Sequence, residues 1–216
     1  MSVKVKICGL NSPQAAAATA EAGADYAGFM FYPPSPRYVA PEDAARLAGI
    51  LPASVARVPV TVNADDDQLA EIVAALKPDL LQLHGAETPE RVRAVRERFS
   101  LPVMKAIAVA APEDVEAAAL YEEVADLLLF DAKPPKSMPN ALPGGNGLAF
   151  DWALIAGYRS SLPWMLSGGL TVDLVGEAIR LTGAQIVDVS SGVEDRPGVK
   201  NPDLIHAFVR TAKAAA

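Results

Sequence analysis

The stretch that decides the fold is "VKVKICGLNSPQAAAATAEAGADYAGFMF", which covers Val3–Phe31. Its first apolar run, Val3–Cys8, predicts a β-strand, and a second run, Asp25–Phe31, predicts another. Between them, residues 12–22 are rich in alanine and begin with a Ser-Pro pair, the cap residue and early proline that helix starts favour. The stretch therefore predicts a strand, a helix and a second strand, which is the repeating unit of parallel α/β folds.

The same unit recurs along the remaining chain. Several of its apolar runs are almost continuous, as is typical of parallel strands that are buried on both faces. Eight units in 216 residues predict a (β/α)8 TIM barrel, an α/β fold, formed by residues 1–216 as a single domain. Beyond the first unit, strands are expected at Arg57–Asn63, Asp79–His84, Pro102–Ala108, Ala125–Asp131, Trp164–Ser167 and Gln185–Ser190, and helices at 41–51, 66–76, 88–98, 112–121, 151–156, 171–182 and 201–214.

A doubly wound open sheet is the alternative fold. A dinucleotide-binding sheet of that kind carries a G-x-G-x-x-G turn after its first strand. This chain has Cys8, Gly9, Leu10 and Asn11 at that point, which do not match the pattern. The barrel is therefore the favoured architecture.

One segment, residues 132–149, does not fit the repeating pattern. It follows the sixth predicted strand and is irregular. A loop of this length in a compact domain is usually functional and often forms a lid, so we expect an active-site loop here. Its turn-forming residues are Pro134, Pro135, Pro139, Pro143, Gly144, Gly145 and Gly147.

The composition is that of a globular protein, with 51% hydrophobic and 21% charged residues. The formal net charge of −7 argues against affinity for nucleic acid or for an anionic membrane, because both require a basic surface. No run approaches the ~18–20 apolar residues that span a bilayer. A small anionic ligand is still compatible with this charge, since a local site can oppose the global charge.

The single cysteine, Cys8, cannot form an internal disulfide, and the N-terminal residues lack the apolar core of a secretory signal. Both observations predict a cytoplasmic protein. The two histidines, His84 and His206, are isolated in the sequence, and no His/Cys cluster has the spacing of metal ligands. The sequence therefore predicts no metal site, and it leaves open whether the protein is a monomer or a homodimer.

Polar side chains cluster where the predicted strands end, which is where the active site of a barrel lies. Asp131 closes the apolar run "ADLLLFD", and a buried carboxyl group there must be paired, hydrogen-bonded or protonated. When protonated it can act as a general acid; the alternative is a helix cap or an ion pair with Lys133. Asp188 faces the same choice, and His84 either lines the pocket or caps its strand. Other polar residues at or near these strand ends are Cys8, Arg37, Asn63, Gln82, Lys105, Ser167, Ser190 and Ser191.

Two glycine-rich turns follow the last two predicted strands, "LSGGL" (Leu166–Leu170) and "VSSGV" (Val189–Val193). Glycine lets backbone N–H groups approach an anion, and the loops after strands seven and eight are the usual phosphate site of such barrels. Glycine also simply turns a chain, but two such turns at these positions predict a phosphate site. Arg37, in "PPSPRYV", can supply a fixed cation, and the alternative is a solvated charge.

Seven motifs, in order over nearly the whole chain, are similar to those of a known family. The chain resembles the phosphoribosylanthranilate isomerases of tryptophan biosynthesis. Because the motifs occur together and in order, the match is far more specific than any single one of them. They are "KICGL" (Lys6–Leu10), "FYPPSPRYV" (Phe31–Val39), "LQLHG" (Leu81–Gly85), "LLFDAK" (Leu128–Lys133), "GGNG" with "FDW" (Gly144–Trp152), "LSGGL" and "VDVSSGVE" (Val187–Glu194).

The resemblance implies a TIM barrel that rearranges a small phosphorylated substrate without a metal or an organic cofactor. The implied reaction is the Amadori rearrangement of N-(5'-phosphoribosyl)anthranilate to 1-(o-carboxyphenylamino)-1-deoxyribulose 5-phosphate. Cys8 is implied as the general base and Asp131 as the general acid. The implied substrate contacts are Arg37, at the anthranilate end, His84 and Asp188, with Gly168, Gly169, Ser191 and Gly192 in the phosphate loops.

A thiol that acts as a base must ionise, and a free cysteine is only a few per cent ionised at neutral pH. We therefore expect nearby cations to lower the pKa of Cys8. Lys6 is a candidate, because it precedes Cys8 by two residues and shares its strand face. Leu148 and Ala149 depart from the family pattern, which often has polar residues there, so the resemblance implies no polar contact from this pair.

Two other functions remain open from the sequence. One is a different phosphosugar enzyme on the same barrel. A pentose-phosphate epimerase would carry metal-binding histidines at its strand ends, and a bifunctional isomerase that also acts in histidine synthesis would carry an aspartate in place of Cys8. The other is a barrel that binds a phosphorylated ligand without catalysis, against which the presence of both an acid and a base argues.

Overall fold

A closed barrel of eight parallel strands forms the centre of the computed structural model, which describes residues 2–135, 137, 142 and 144–215. Each strand pairs with the next one along the chain, and the last pairs with the first. The predicted (β/α)8 barrel is therefore confirmed, and the open sheet is excluded. The strands are β1 (Lys4–Cys8), β2 (Tyr26–Met30), β3 (Ala56–Thr61), β4 (Leu81–Leu83), β5 (Val103–Val109), β6 (Leu127–Ala132), β7 (Trp164–Leu166) and β8 (Ile186–Val189).

The helices surround the sheet and begin at the capping residues that the sequence marks. Ser12 and Thr88 each accept a hydrogen bond from a backbone N–H of the first turn, and a proline follows each of them. None of the helices in the described ranges is both long and apolar enough to cross a membrane. The helices are α1 (Pro13–Glu21), α2 (Pro41–Ala48), α3 (Asp66–Leu76), α4 (Pro89–Phe99), α5 (Pro112–Glu116), α6 (Val175–Thr182) and α7 (Pro202–Ala214).

Three of the expected helices differ from the prediction. The segment 112–121 is α-helical only through Glu116 and continues as a 3₁₀-helix. The segment 151–156 contains only the 3₁₀-helix Trp152–Ile155, because the backbone becomes extended at Ala156 and Gly157 then takes a left-handed conformation. Helix α6 starts at Val175, since a turn closed by hydrogen bonds to the Thr171 carbonyl occupies the residues before it.

A short antiparallel hairpin follows β8 and was not predicted. It consists of β9 (Glu194–Arg196) and β10 (Val199–Lys200) and lies outside the barrel sheet. Its sequence is polar and lacks the alternation that marks a strand, although Pro197 and Gly198 form a recognisable turn.

Two apolar layers hold the barrel together. One lies between the strands and the helices and includes Phe29, Phe130 and Phe208, all fully buried. The other fills the inside of the barrel below its mouth and consists of Val58, Leu80, Met104, Ala106, Leu127, Leu129, Met165 and Ile186.

The alternation of side chains along each strand brings polar groups above this inner layer. On β6, Leu127, Leu129 and Asp131 share one face, so Asp131 stands at the mouth on top of two core leucines. On β1, Lys6 and Cys8 share the inner face in the same way. Lys6 is in register with Asp188 of β8, which places an ammonium and a carboxylate side by side.

Candidate active site

A pocket opens at the mouth of the barrel, where the carboxyl ends of the strands meet. Strand ends, the loops after β7 and β8, and part of the segment 132–149 contribute to its wall. Among the predicted site residues, all but Gly192 line this pocket. The lining residues from that set are Cys8, Arg37, His84, Asp131, Gly168, Gly169, Asp188 and Ser191.

Cys8 shares the inner end of β1 with Lys6 and is buried. Gly28, its register partner on β2, leaves the space that both side chains occupy. A Cβ atom at Gly28 would lie 3.0 Å from Cys8 Sγ and 3.1 Å from Lys6 Nζ. The absence of a side chain on β2 therefore allows the thiol and the ammonium to lie next to each other.

We expected a lowered pKa for Cys8, and this expectation is wrong, because the net shift of the pKa is upward. Burial raises the pKa of the thiol above its ordinary value of 9.0, because a thiolate is poorly solvated inside the barrel. Lys6 and Lys200 lower the pKa in part, while the carboxylate of Asp188 raises it further. Lys6 therefore counteracts the effect of burial without reversing it.

Asp188 holds Lys6 in place. Lys6 Nζ donates a hydrogen bond of 2.9 Å to Asp188 Oδ1, and both side chains are almost completely buried. Ser167 Oγ donates to the other oxygen, Oδ2, at 3.3 Å. Burial alone would lower the pKa of Lys6, but the charges of Asp188 and Cys8 outweigh it and raise the pKa above its ordinary value. The sequence left open whether Asp188 forms an ion pair or acts in the site. The carboxylate pairs with Lys6 and also lines the pocket.

Asp131 lies beside His84 and not beside Lys133. Its Oδ2 atom is 3.3 Å from His84 Nε2, and its Oδ1 atom accepts a hydrogen bond of 2.8 Å from the N–H of Ala132. Lys133 instead pairs with Asp114 at 2.7 Å, outside the pocket. The ion pair proposed as an alternative for Asp131 is therefore not formed, and the carboxyl group faces the pocket.

Gln82 completes a polar row with His84 and Asp131. Its Nε2 atom lies 2.7 Å from His84 Nδ1. If Gln82 Nε2 donates to His84 Nδ1, the proton of a neutral imidazole is on His84 Nε2 and points to Asp131. Gln82 Oε1 is buried and has no hydrogen-bond partner in the part of the chain that the structure describes.

Arg37 is buried, so the alternative of a solvated charge is wrong. Its Nε and Nη2 atoms donate to the two carboxylate oxygens of Glu194, at 2.7 and 2.9 Å. Lys200 Nζ donates to Glu194 Oε1 at 2.6 Å and to the Ser190 carbonyl at 2.9 Å. Burial alone would raise the pKa of Glu194, but these two cations outweigh it and keep that pKa below its ordinary value.

The two glycine-rich loops meet at one side of the pocket. Gly168 and Gly169 have left-handed backbone conformations, with φ of +83° and +69°. Gly192 packs so closely on the Leu170 carbonyl that it cannot carry a side chain, and it lies behind Ser191 and not in the pocket wall. Gly192 therefore brings the loop after β8 against the loop after β7.

Several other polar residues at the strand ends serve local structure. Lys105 and Glu87 form a buried ion pair of 2.9 Å, and Glu87 also accepts hydrogen bonds from the N–H groups of Asn63 and Gly85. These bonds fix the loop after His84. His206 lies on α7 and does not line the pocket, and its Nε2 is 3.7 Å from Glu21 Oε2.

The segment 132–149 contributes its first residue, Ala132, and the stretch Gly144–Leu148 to the pocket. Gly144 approaches most closely, since a Cβ atom there would lie 2.5 Å from His84 Nε2 and 2.6 Å from Asp131 Oδ2. Leu148 supplies an apolar side chain to the wall. Pro139 and Pro143, which the sequence analysis singled out, lie outside the described residues.

Sequence reasoning missed Glu194 and Lys200 as partners in this site. Glu194 ends the motif "VDVSSGVE", which was the one signal available, and nothing in the sequence marks Lys200. Among the described residues, no group of three or more His, Cys, Asp or Glu side chains is arranged to hold a metal ion.

Known proteins with similar sequences fall into one family. The family model for N-(5'-phosphoribosyl)anthranilate (PRA) isomerase matches residues 5–211. The N-(5'-phosphoribosyl)anthranilate isomerase of Parvibaculum lavamentivorans is 61% identical over 215 residues, which is 100% of both chains.

Solved structures of similar proteins share the fold. A structure of monomers generated from the dimeric phosphoribosylanthranilate isomerase of Thermotoga maritima is 40% identical, with a TM-score of 0.84 over 98% of this chain and 99% of that one. A phosphoribosylanthranilate isomerase in complex with reduced 1-(o-carboxyphenylamino)-1-deoxyribulose 5-phosphate is 39% identical, with the same coverage and a TM-score of 0.84. On this evidence, the chain belongs to the N-(5'-phosphoribosyl)anthranilate isomerase family.

Proposed function

We propose that this protein catalyses the Amadori rearrangement of N-(5'-phosphoribosyl)anthranilate to 1-(o-carboxyphenylamino)-1-deoxyribulose 5-phosphate. The reaction converts an aldose amine into a ketose amine within one molecule, so it needs proton transfers and no net oxidant. Asp131 acts as the general acid and Cys8 as the general base. The scheme uses only side chains of this chain.

The first step opens the furanose ring. Asp131 in its acid form donates a proton to the ring oxygen while the bond between that oxygen and C1' breaks. The electron pair of the anthranilate nitrogen forms the C=N bond of a Schiff base. A carboxyl group with one oxygen bound by the Ala132 N–H and the other beside His84 is held in a fixed orientation for this transfer.

The second step removes the proton from C2'. The thiolate of Cys8 accepts that proton, the electrons of the C–H bond form a C1'–C2' double bond, and the second electron pair of the C=N bond returns to the nitrogen, which gives an enolamine. Tautomerisation of the enolamine then gives the ketone at C2'. Lys6, next to the thiol, favours the thiolate electrostatically, and Asp188 keeps Lys6 in position.

The observation that carries this proposal is the placement of the acid and the base on opposite sides of one pocket. Cys8 ends β1 and Asp131 lies at the end of β6, and these strands are separated by β7 and β8 on the shorter way around the barrel. A sugar bound between them can present its ring oxygen to one side and C2' to the other.

The two ends of the substrate are negatively charged and need separate contacts. We assign the phosphate to backbone N–H groups of the loops after β7 and β8, which contain Gly168, Gly169 and Ser191. We assign the anthranilate carboxylate to Arg37, whose guanidinium is buried at the pocket. His84 and Asp188 contact the substrate between these two ends.

We also propose that the whole chain acts as a single barrel domain in the cytoplasm, and that residues 132–149 form its active-site loop. The close approach of Gly144 to His84 and Asp131 supports the role of the loop. The net charge of −7 argues against nucleic acid as a partner. Sedimentation of the purified protein would distinguish a monomer from a homodimer.

The test of the proposed function is turnover of freshly generated phosphoribosylanthranilate, followed by the loss of its fluorescence above spontaneous hydrolysis. We expect Cys8→Ala and Asp131→Asn each to lower turnover by at least about 100-fold, the usual effect of losing an acid or a base. Folding of both variants is checked by circular dichroism and thermal melting.

Lys133→Ala is the matched control for Asp131→Asn. Lys133 lies two residues further along the chain and pairs with Asp114 outside the pocket, so turnover should stay close to that of the unaltered protein. Near-normal turnover in a folded Cys8→Ala or Asp131→Asn variant would remove that residue from the mechanism. A folded, unaltered protein without turnover would overturn the proposed function.

A further inference from the structure

The hairpin β9–β10 places two charged side chains, those of Glu194 and Lys200, at the barrel mouth. Although its tip is exposed, the side chains of Glu194 and Lys200 are only 3% and 0% exposed. The hairpin is also fastened to the first two loops of the barrel. Asn11 donates to the carbonyl of Gly198, and Gly198 packs directly on the carbonyl of Pro36. The hairpin is thus built into the wall beside Arg37.

Glu194 is bound on both of its oxygens by cations. Arg37 donates through Nε and Nη2, and Lys200 donates through Nζ to the oxygen that Nε also contacts. Bidentate contact with a carboxylate fixes the plane of a guanidinium as well as its position. Glu194 therefore occupies the Nε–Nη2 edge of the Arg37 guanidinium and leaves the edge with Nη1 available to bind another group.

The remaining edge of Arg37 carries Nη1 and lies against Gly145, which lines the pocket together with Arg37. Among the residues that the structure describes, Nη1 has no hydrogen-bond partner. It packs on the backbone of Gly145, where a Cβ atom would lie only 2.6 Å away. The aliphatic part of Arg37 lies on Gly9, where a Cβ atom would be 2.7 Å from Cδ. The Arg37 side chain thus packs on Gly9 through its aliphatic part and on Gly145 through its guanidinium.

The charges of the three residues leave a net positive site. An isolated Arg–Glu pair is neutral, and a buried neutral pair attracts a carboxylate weakly. Burial lowers the pKa of Lys200 below its ordinary value, and the charge of Glu194 opposes that effect. Lys200 Nζ donates to both Glu194 and the Ser190 carbonyl, as an ammonium does, so one arginine, one protonated lysine and one glutamate carry a net charge of about +1. This local charge opposes the overall charge of −7.

We propose that Glu194 and Lys200 are positioning residues that make Arg37 selective for an arylamine substrate with an ortho carboxylate. Glu194 orients the guanidinium so that Nη1 meets the carboxylate, and Lys200 restores the positive charge that Glu194 neutralises. The proposal rests on the proposed function, since it specifies how the assigned anthranilate contact is built. It predicts that loss of Glu194 impairs recognition of the carboxylate more than catalysis itself.

The test compares two substrates, N-(5'-phosphoribosyl)anthranilate and N-(5'-phosphoribosyl)aniline, which lacks the carboxylate. In Glu194→Gln, we expect KM for the anthranilate substrate to rise about tenfold or more, with kcat changed less than about threefold. The kcat/KM for the aniline substrate should stay nearly constant. A merely structural role would lower kcat/KM for both substrates equally, and that result would overturn the proposal.

Asp195→Asn is the matched control, because Asp195 is the next residue on the same hairpin, is exposed, and accepts a hydrogen bond from Asn201. It should leave the preference between the two substrates unchanged. Glu194→Asp keeps the charge but is one methylene shorter, so it tests the same contact if Glu194→Gln does not fold. Lys200→Met should reduce the same preference, and an unchanged preference would overturn the role of its charge.

A binding measurement separates failure of this inference from failure of the proposed function. If the unaltered protein does not turn over phosphoribosylanthranilate, the proposed function fails. Calorimetry with reduced 1-(o-carboxyphenylamino)-1-deoxyribulose 5-phosphate and its analogue without the carboxylate still tests the inference. Tighter binding of the carboxylated compound that is lost in Glu194→Gln supports it, and equal binding of the two compounds by the unaltered protein overturns it.

Discussion

At the scale of single residues, the thiol of Cys8 is subject to opposing effects. Burial disfavours the thiolate, whereas Lys6 stabilises it. The net result is a thiol with a raised pKa, which is mostly protonated at neutral pH but forms a stronger base once ionised. A catalytic thiol of this kind gains basicity at the expense of the ionised fraction, so its activity should depend strongly on pH.

We predict that Cys8 titrates above its ordinary pKa of 9.0 and that kcat/KM rises with pH up to that titration. The kcat/KM rises with pH because the raised pKa keeps the thiol protonated, and so unable to act as a base, at lower pH. Since Cys8 is the only cysteine, the ultraviolet absorbance of its thiolate is obtained by subtracting the titration of Cys8→Ala, which cancels the tyrosines. A thiol that titrates below 9, or a kcat/KM that is flat between neutral pH and 9, would contradict this prediction.

At the scale of structural elements, the segment after β6 and the hairpin after β8 build the wall that the strands do not supply. The hairpin fixes Arg37 through Glu194, and Gly144–Leu148 cover the side of Asp131 and His84. Both elements are irregular or polar and pack through close backbone contacts. Substitutions that add even one carbon atom to these contacts should therefore affect activity.

We predict that Gly144→Ala lowers kcat/KM by about tenfold or more, because displacement of a catalytic group by about 1 Å can cost 100-fold. A Cβ atom at this position would lie 2.6 Å from Asp131 Oδ2, so either the loop or the acid must move. The measurement is steady-state turnover together with a thermal melt.

Gly176→Ala serves as the control for this substitution. Gly176 lies in α6, and its added Cβ atom would meet the end of the Arg180 side chain at 3.4 Å and Ala215 Cβ at 4.0 Å, which are ordinary contacts. Alanine also has a higher helix propensity than glycine, so the melting temperature of this variant should be no lower than that of the unaltered protein. Full activity in Gly144→Ala would show that close packing of Gly144 on Asp131 is not needed for turnover.

At the scale of the whole molecule, the barrel concentrates cations in an acidic protein. The chain has a net charge of −7, yet Lys6, Arg37 and Lys200 are all buried around the mouth. Each of these cations contacts a carboxylate, Lys6 that of Asp188 and both Arg37 and Lys200 that of Glu194, so none of them is buried without an anionic partner. Closure of the sheet is what brings these partners together, because Lys6 and Asp188 come from opposite ends of the chain.

We predict that inorganic phosphate inhibits competitively by occupying the loops after β7 and β8. Phosphate should raise the apparent KM and leave kcat unchanged. Chloride at the same ionic strength is the control, because general screening acts on exposed charges without occupying a site. An unchanged apparent KM at high phosphate, or an equal effect of chloride, would argue against a phosphate site at these loops.

Much of the fold was predictable because its signals are local. Continuous apolar runs mark buried parallel strands, and Ser12, Thr88 and Asn201 each precede a proline at the start of a helix that forms as expected. Element ends shifted by a few residues where local turns decide them, such as the turn at Thr171 that precedes α6. The hairpin β9–β10 could not be predicted, since its polar residues are ordered by contacts with Pro36 and Arg37, which are far away in sequence.

The amino-acid sequence by itself determined the barrel, the family and the positions of the proposed acid and base, because each depends on residue order along one strand or on short motifs. Only the tertiary structure decided the electrostatics of these residues. It raised the pKa of Cys8 and paired Asp131 with His84 rather than Lys133. Burial and charge pairing depend on distances between residues that the sequence separates, and these distances exist only once the sheet has closed.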